Sequence, residues 1–196
     1  MKKQDTSKEL PVMLFAQQTD WQTWLAVNHA TSTGLWLRLA KKKAALVSVT
    51  YPEAVEVALC YGWIDGQTKT YDAESWIQKF TPRGKKSIWS KINRAKAEAL
   101  IASGQMQPAG LRAVESAKQD GRWDAAYDSP RNAEVPADLQ DALNANPKAQ
   151  AFFETLNSQN RFAILFRLQT AKKAETRAKR IAQFIEMLAR GEKLHP

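Results

Sequence analysis

The chain has 196 residues, 44% hydrophobic and 25% charged, and its 29 Lys+Arg against 20 Asp+Glu give a formal net charge of +9. These proportions, with eight Gly and eight Pro, exclude disordered and collagen-like chains. Cys60 is the only cysteine, so an intrachain disulfide and a multi-cysteine zinc site are excluded as well.

The polar residues 1–9 read as a disordered tail. Leu10 to Ala16 is a short apolar run of strand length, and Pro11 to Ala16, the longest apolar run near the start, is too short for the apolar region of a signal peptide. Asp20 reads as the N-cap of a helix carrying Trp21, Trp24, Leu25 and Asn28, with Gly34 ending that region. Leu35, Leu37 and Leu39 alternate with Trp36 and Arg38, the pattern of a strand with one buried face. Thr50-Tyr51-Pro52-Glu53 has the spacing of a capping box, and Ala54, Val55, Ala58 and Leu59 form the inward stripe of the helix it opens. Gly62 stops that helix, Trp63, Ile64 and Asp65 lead into Gly66, and Thr68 to Phe80 reads as one or two further strands.

Beyond Arg83 the pattern is helical. Ser90 reads as the cap of a helix running to about Ala102, and a second helix runs from near Pro108 to Asp120-Gly121. Shorter helical patterns cover Ala137–Leu143, Pro147–Leu156 and Ser158–Leu168, and a last helix carries Ala178, Ile181, Ile185 and Leu188. The fold class is therefore α+β: a small N-terminal sheet with two helices, followed by a predominantly helical C-terminal half. The expected division is a tail at 1–9, a core domain at 10–126, a linker at 127–136 and a helical subdomain at 137–196. No stretch reaches the ~20 apolar residues of a membrane helix, and the expected compartment is the cytoplasm.

The positive charge is clustered. Lys79 to Gly104 holds seven basic residues against Glu98 alone, and Arg161 onward holds nine against three acidic ones. Such clusters fit an anionic ligand, nucleic acid or an acidic protein as partner, and equally fit solvated helix faces. Lys173, Arg177 and Arg180 share one face of the last helix as a candidate basic surface.

Two segments stand out as a candidate anion site. In the first, Arg83 can fork onto two oxygens of a phosphate or carboxylate, with Lys85 and Lys86 as point charges and Ser87, Ser90 and Asn93 as neutral donors. Free backbone N–H groups at the helix start beside Ser90 would favour the same charge; alternatively Ser90 is only a cap. In the second, Asp65 stands among aromatic and aliphatic residues and needs a partner. Arg83 would be that partner if the sheet brings the two segments together, making an Asp65–Arg83 pair walled by Trp63 and Trp89; the alternative is a turn aspartate before Gly66. Cys60 reads as core and not as a nucleophile, His195 falls in a tail expected to fray, and no spacing points to a metal or a cofactor.

The blocks WLAVNHATSTGLWLRLAKK, TYPEAVEVALCYGWIDGQ, FTPRGKKSIWSKIN, AGLRAVESAKQDGRWDAAY and AKKAETRAKRI, in this order, resemble the bacterial YdeI/OmpD-associated, or bacteriocin-protection, family over about Leu10 to Gly191. The resemblance implies a stress-protection protein conferring tolerance of cationic antimicrobial peptides, linked through the family name to an outer-membrane porin and so to an envelope role. It carries no catalytic residues with it. The expectation is a non-enzymatic protein that binds an anionic partner; the alternative is an enzyme or sensor taking a phosphate- or carboxylate-bearing small molecule in the Trp-lined Asp/Arg pocket.

Overall fold

The computed structural model describes residues 10–129 and 132–196. The expected tail at 1–9, and Pro130 and Arg131 of the expected linker, lie outside the described residues. The chain is α+β, with a four-stranded sheet and two helices in its N-terminal half and a mostly helical C-terminal half. It divides into two compact units. The first runs to Trp89 and takes in Asn93–Ala125; the second is Ser90–Ile92 with Ala126–Pro196.

The sheet of the first unit has the order β1 (Val12–Leu14), β2 (Leu35–Ala40), β4 (Ser75–Pro82), β3 (Trp63–Thr70). β1 runs parallel to β2, and the other two pairings are antiparallel. The run expected as one or two strands is a hairpin whose first strand starts earlier, at Trp63 directly after Gly62. Asp72 organises its turn: Oδ1 accepts from the Glu74 and Ser75 amides and the Ser75 hydroxyl, and these bonds, the hydroxyl's foremost, hold the carboxyl below the usual range.

Alternation along β2 sends Leu35, Leu37 and Leu39 inward, opposite Phe80, Gln78 and Trp76 of β4. Trp36 and Arg38 point to the other face, level with Lys79 and Ile77. A β-bulge between Asp65 and Thr68 shifts the register of β3 by one residue. Buried Gln78 donates from Nε2 to Gly66 O at 2.8 Å and so satisfies a carbonyl at the bulge.

Helices α1 (Gln18–Asn28) and α2 (Tyr51–Cys60) lie on the inward face. α2 opens with the expected capping box: the Thr50 amide donates to Glu53 Oε2 at 2.9 Å, and hydrogen bonds from Thr50 lower the Glu53 pKa. At α1 the expectation was one turn out. Gln17 is the N-cap, and Asp20 sits at the third helical position, where its carboxylate accepts the Gln17 amide at 3.1 Å.

Between helices and sheet lies a knot of rings. Trp21 packs against Trp24, Phe80 and Trp63 with centroids at 5.5, 5.7 and 6.1 Å, and Phe15 closes it at 5.4 Å. Both deeply buried indoles of this knot have acceptors: Trp21 Nε1 donates to Ala54 O and Trp63 Nε1 to His29 O, each at 3.1 Å.

Helices α3 (Lys91–Ala102) and α4 (Pro108–Gln119) follow. α4 approaches the end of α2 so closely that a Cβ on Gly110 would lie 2.4 Å from Cys60 O and 2.7 Å from Leu59 O, both backbone atoms. Gly62 takes a left-handed φ of +72° beneath Ala109 O. Gly110→Ala must therefore push α4 off α2. The expected loss is about 2–3 kcal/mol, typical of overpacking, and a denaturant melt of the variant measures it.

The second unit packs α5 (Ala137–Asn144), α6 (Pro147–Thr155), α7 (Ser158–Gln169) and α8 (Ala174–Ala189) around Leu139, Phe153, Ile164, Leu168 and Leu188. Asn146 and Asn157 cap α6 and α7 by accepting the amides of Ala149 and Asn160. The end of the chain does not fray as expected. Buried Asn160 accepts the His195 amide at 2.8 Å and donates to His195 O at 3.1 Å, which docks the segment on α7.

Candidate functional site

The Arg83 segment folds into a closed loop between β4 and Trp89. The Gly84 amide donates to Ser87 Oγ at 3.0 Å and the Ser87 amide to Gly84 O at 3.0 Å. Arg83 lays its guanidinium on the Trp89 ring, 3.6 Å from the centroid, and donates from Nη1 to Ile88 O at 3.2 Å. Trp89 is buried against Trp123 at 4.9 Å. From outside the loop, Arg122 donates to Ser87 O at 2.9 Å, while Asp120 holds its Nη2 at 2.7 Å. The loop amides named here are thus spent on the loop itself, and the Lys91 amide at the start of α3 goes to Tyr127 O. The amides of Gly84, Ser87 and Lys91 are therefore already engaged.

The Asp65–Arg83 pair does not form. Asp65 stands opposite Phe80 in the sheet, and Arg83 lies three residues further on. Three residues carry it past the end of β4, ~10 Å along the strand direction. Asp65 instead accepts the Tyr51 hydroxyl at 2.7 Å.

The structure does bring Trp63, Arg83 and Lys85 together, in a cleft of about 330 Å³ within the first unit. Its floor is Trp63, Tyr61, Pro82 and the small residues Ala30, Ala109 and Ala113; Arg83, Lys85, Arg112, Arg122, Ser116 and His29 supply the polar groups. No acidic side chain is among the lining residues. Arg112 and Lys85 are exposed at the edge, whereas Arg122 is fixed in the wall with its side chain 10% exposed. His29 caps the end of α1, half-buried, with its ring 5.3 Å from that of Tyr61. Its Nδ1 lies 2.9 Å from Leu25 O, a contact only a protonated Nδ1 satisfies, which leaves Nε2 to the cleft.

The other candidates fall elsewhere. Trp89 lies beneath Arg83, while Asp65, Lys86, Ser87, Ser90 and Asn93 are absent from the cleft wall. Sequence reasoning missed His29, Tyr61, Arg112, Ser116 and Arg122. One signal was present: Ala109, Arg112, Ala113 and Ser116 follow i, i+3, i+4, i+7 spacing, a small-and-polar stripe on α4 opposite Val114 and Ala117.

Cys60 lines a separate, smaller cavity with Gln22, Glu56 and Gln107. Burial pushes its thiol up to about 11, with the Glu56 charge adding to the shift. A thiol reagent at pH 8 is expected to leave Cys60 unmodified in the native protein and to label it on unfolding, as a colorimetric titration shows. Among the described residues no group of His, Cys, Asp and Glu could hold a metal ion.

The candidate basic surface of the second unit is largely spoken for. Lys173 is the N-cap residue of α8, Arg177 forks onto Asp138 at 2.6 and 2.8 Å and donates to Leu168 O, and Arg180 donates to Arg167 O. The Arg177 hydrogen bond holds the Asp138 carboxyl below its ordinary value. Because that pKa is lowered in the folded state, the pair's stabilisation is present above the unfolded value and fades as pH falls through the folded one. Arg177→Ala should cost about 1 kcal/mol at neutral pH, allowing for solvent screening. Thermal melts in acid should show the gap from the parent narrowing once Asp138 is protonated.

Fold and cleft together define an α+β protein with a helical second unit and a cation-walled, aromatic-floored cavity in the first. The chain belongs to the family described as a domain of unknown function (DUF8412), whose model matches residues 13–113, and its residues 132–191 match the family described as Bacteriocin-protection, YdeI or OmpD-Associated. The resemblance read from the sequence is therefore shown over residues 132–191, while the LCYGWIDG and FTPR blocks lie within the other match. No curated protein and no solved structure matches the chain. Among the described residues no helix is long and apolar enough to cross a membrane.

Proposed function

We propose that this protein serves bacteriocin protection as a non-enzymatic binding protein, taking a small phosphate- or carboxylate-bearing molecule in the cleft beside Arg83. The observation that carries the reading is the composition of the wall: three arginines and a lysine around an aromatic and alanine floor, with no carboxylate among them. Such a site matches a ligand with an anionic head and a flat or apolar body. Arg122 and Arg83 are already fixed by Asp120, Ser87 O and the Trp89 ring, so little side-chain entropy is lost when an anion arrives. Arg112 and Lys85 at the edge are the groups that close on it.

The reading favours binding over turnover because Cys60 lies in a different cavity with its thiol held protonated. It also favours an indirect role in protection. A chain of net charge +9 repels cationic peptides, so direct sequestration is opposed by long-range electrostatics. The unpaired, buried thiol is compatible with a reducing compartment, and the reading places the protein in the cytoplasm.

A thermal-shift screen against nucleotides, sugar phosphates and di- and tricarboxylates tests this. A ligand at about 100 times its Kd should stabilise the protein by ~2.7 kcal/mol, a shift of several degrees. Arg112→Ala should weaken that ligand roughly tenfold or more, the usual scale for a charge-assisted hydrogen bond, while leaving the unliganded melt unchanged. If no anion in the panel raises the melting temperature, or if Arg112→Ala and Lys85→Ala bind as the parent does, the reading is overturned.

A further inference from the structure

We infer that the outward face of the sheet is a second binding surface, separate from the cleft, whose partner is single-stranded nucleic acid. The face is set by alternation. Val12 and Leu14 of β1 stand beside Trp36 and Arg38 of β2, followed by Lys79 and Ile77 of β4 and Lys69 of β3. Its edges are open, with Val12 and Leu14 each 43% exposed and Tyr71 49%; Trp36, Arg38 and Lys79 are half-buried between them over buried Ile77, and both helices near the sheet pack on its other side.

Two aromatic rings on this face each carry a cation. The Lys69 ammonium lies 4.7 Å from the Trp36 centroid, and the Arg38 guanidinium 5.0 Å from that of Tyr71. Lys79, directly across from Trp36, adds a third charge. The one carboxylate in contact with these groups is that of Asp72, which pairs with Arg38 at 2.7 Å and leaves Lys69 and Lys79 uncompensated by any ion pair among the described residues. Lys42 and Lys43 are exposed in the turn after β2, near the Tyr71 end where Asp72 and Glu74 also lie, since the Lys41 amide bonds Glu74 O and Glu74 Oε1 accepts the Ala45 amide.

Charge complementarity selects the partner, and ring placement narrows it. Aromatic residues interleaved with lysines on an open sheet are the components of a stacking platform, in which ring faces take unpaired bases and the cations take the phosphates between them. Trp36 and Tyr71 lie two strands apart and are offset along the strands, a separation of ~10 Å or more from strand spacing, which spans adjacent or next-adjacent nucleotides of an extended strand. A duplex offers no free base faces to these rings. An acidic protein would satisfy the lysines but makes no use of the half-buried Trp36 ring and the exposed Tyr71 ring beside them.

The test is fluorescence anisotropy of the full chain with a labelled oligothymidylate of 20 nucleotides and, separately, the corresponding duplex, at low salt and over a salt series. The expected result is tighter binding of the single strand, with affinity falling linearly in log salt. Tyr71→Ala should weaken it roughly tenfold, the scale of one lost stacked base, and Lys69→Gln with Lys79→Gln should reduce the salt slope. Tyr71 and both lysines lie on the surface, and circular dichroism confirms that the variants fold. Arg112→Ala, in the cleft, should leave oligonucleotide binding unchanged, which separates this surface from the proposed ligand site. No binding at low salt, equal affinity for duplex and single strand, indifference to Tyr71→Ala, or a dimer by sedimentation that buries Trp36 would overturn the inference.

Discussion

The structure of the first unit depends on one set of contacts, the packing of Trp21, Trp24, Trp63 and Phe80 between α1 and the sheet. Rings of this size supply much of the buried apolar area of a small domain, and an indole N–H without an acceptor would offset part of that gain. Here each deeply buried indole of the knot finds a backbone carbonyl, and one of those carbonyls belongs to a residue of the candidate cleft. Trp63 holds His29 O, so the bond that completes the core also places the His29 ring at the cleft. Trp21 holds Ala54 O and ties α1 to the first turn of α2. Core and site are built from the same residues, so a change to Trp63 moves both.

The opposite wall rests on a second constraint, the close approach of α4 to α2 permitted by Gly110 and Gly62. That approach carries Arg112 and Ser116 to the cavity. The third side is the Arg83 loop, fixed by cation–π contact with Trp89 and by Arg122 on Ser87 O. Each cation held in place is held by something other than a ligand. The cost of assembling like charges is met in folding, by ring stacking and by Asp120.

Much of the fold could be read from residues close in sequence. The capping box at Thr50, the alternation of Leu35, Leu37 and Leu39, the stop at Gly62 and the stripe Ile181, Ile185, Leu188 are local signals, and each corresponds to an element of the structure. Errors arose where a local signal had two solutions. Asp20 suits an N-cap and an N3 position equally, and only the Gln17 amide decides between them. The site was less legible. Arg83, Lys85 and Trp63 stood out by composition, but their true neighbours, His29 and Arg112, come from helices about 54 residues before and 29 after Arg83. The expected Asp65–Arg83 pair failed on the pairing register, which sets Asp65 opposite Phe80 and Arg83 past the strand end, and not on either residue. Arg83 found a ring and a carbonyl, and Asp65 a phenol.

Register has one more effect. Asp65 pairs with Phe80 but Thr68 with Gln78, so β3 holds one residue more than its partner over that interval. The surplus residue inverts the facing of everything after it. It delivers Lys69 to the solvent side and Thr68 to the side beneath the helices. Removing a single residue at the bulge would reverse that phase, turning a lysine toward Leu37 and Leu39 and presenting a threonine where the charge had been. Spacing in this segment is therefore under tighter constraint than side-chain identity: point replacements in Gly66-Gln67 are local events, whereas a one-codon deletion is a defect of the whole strand.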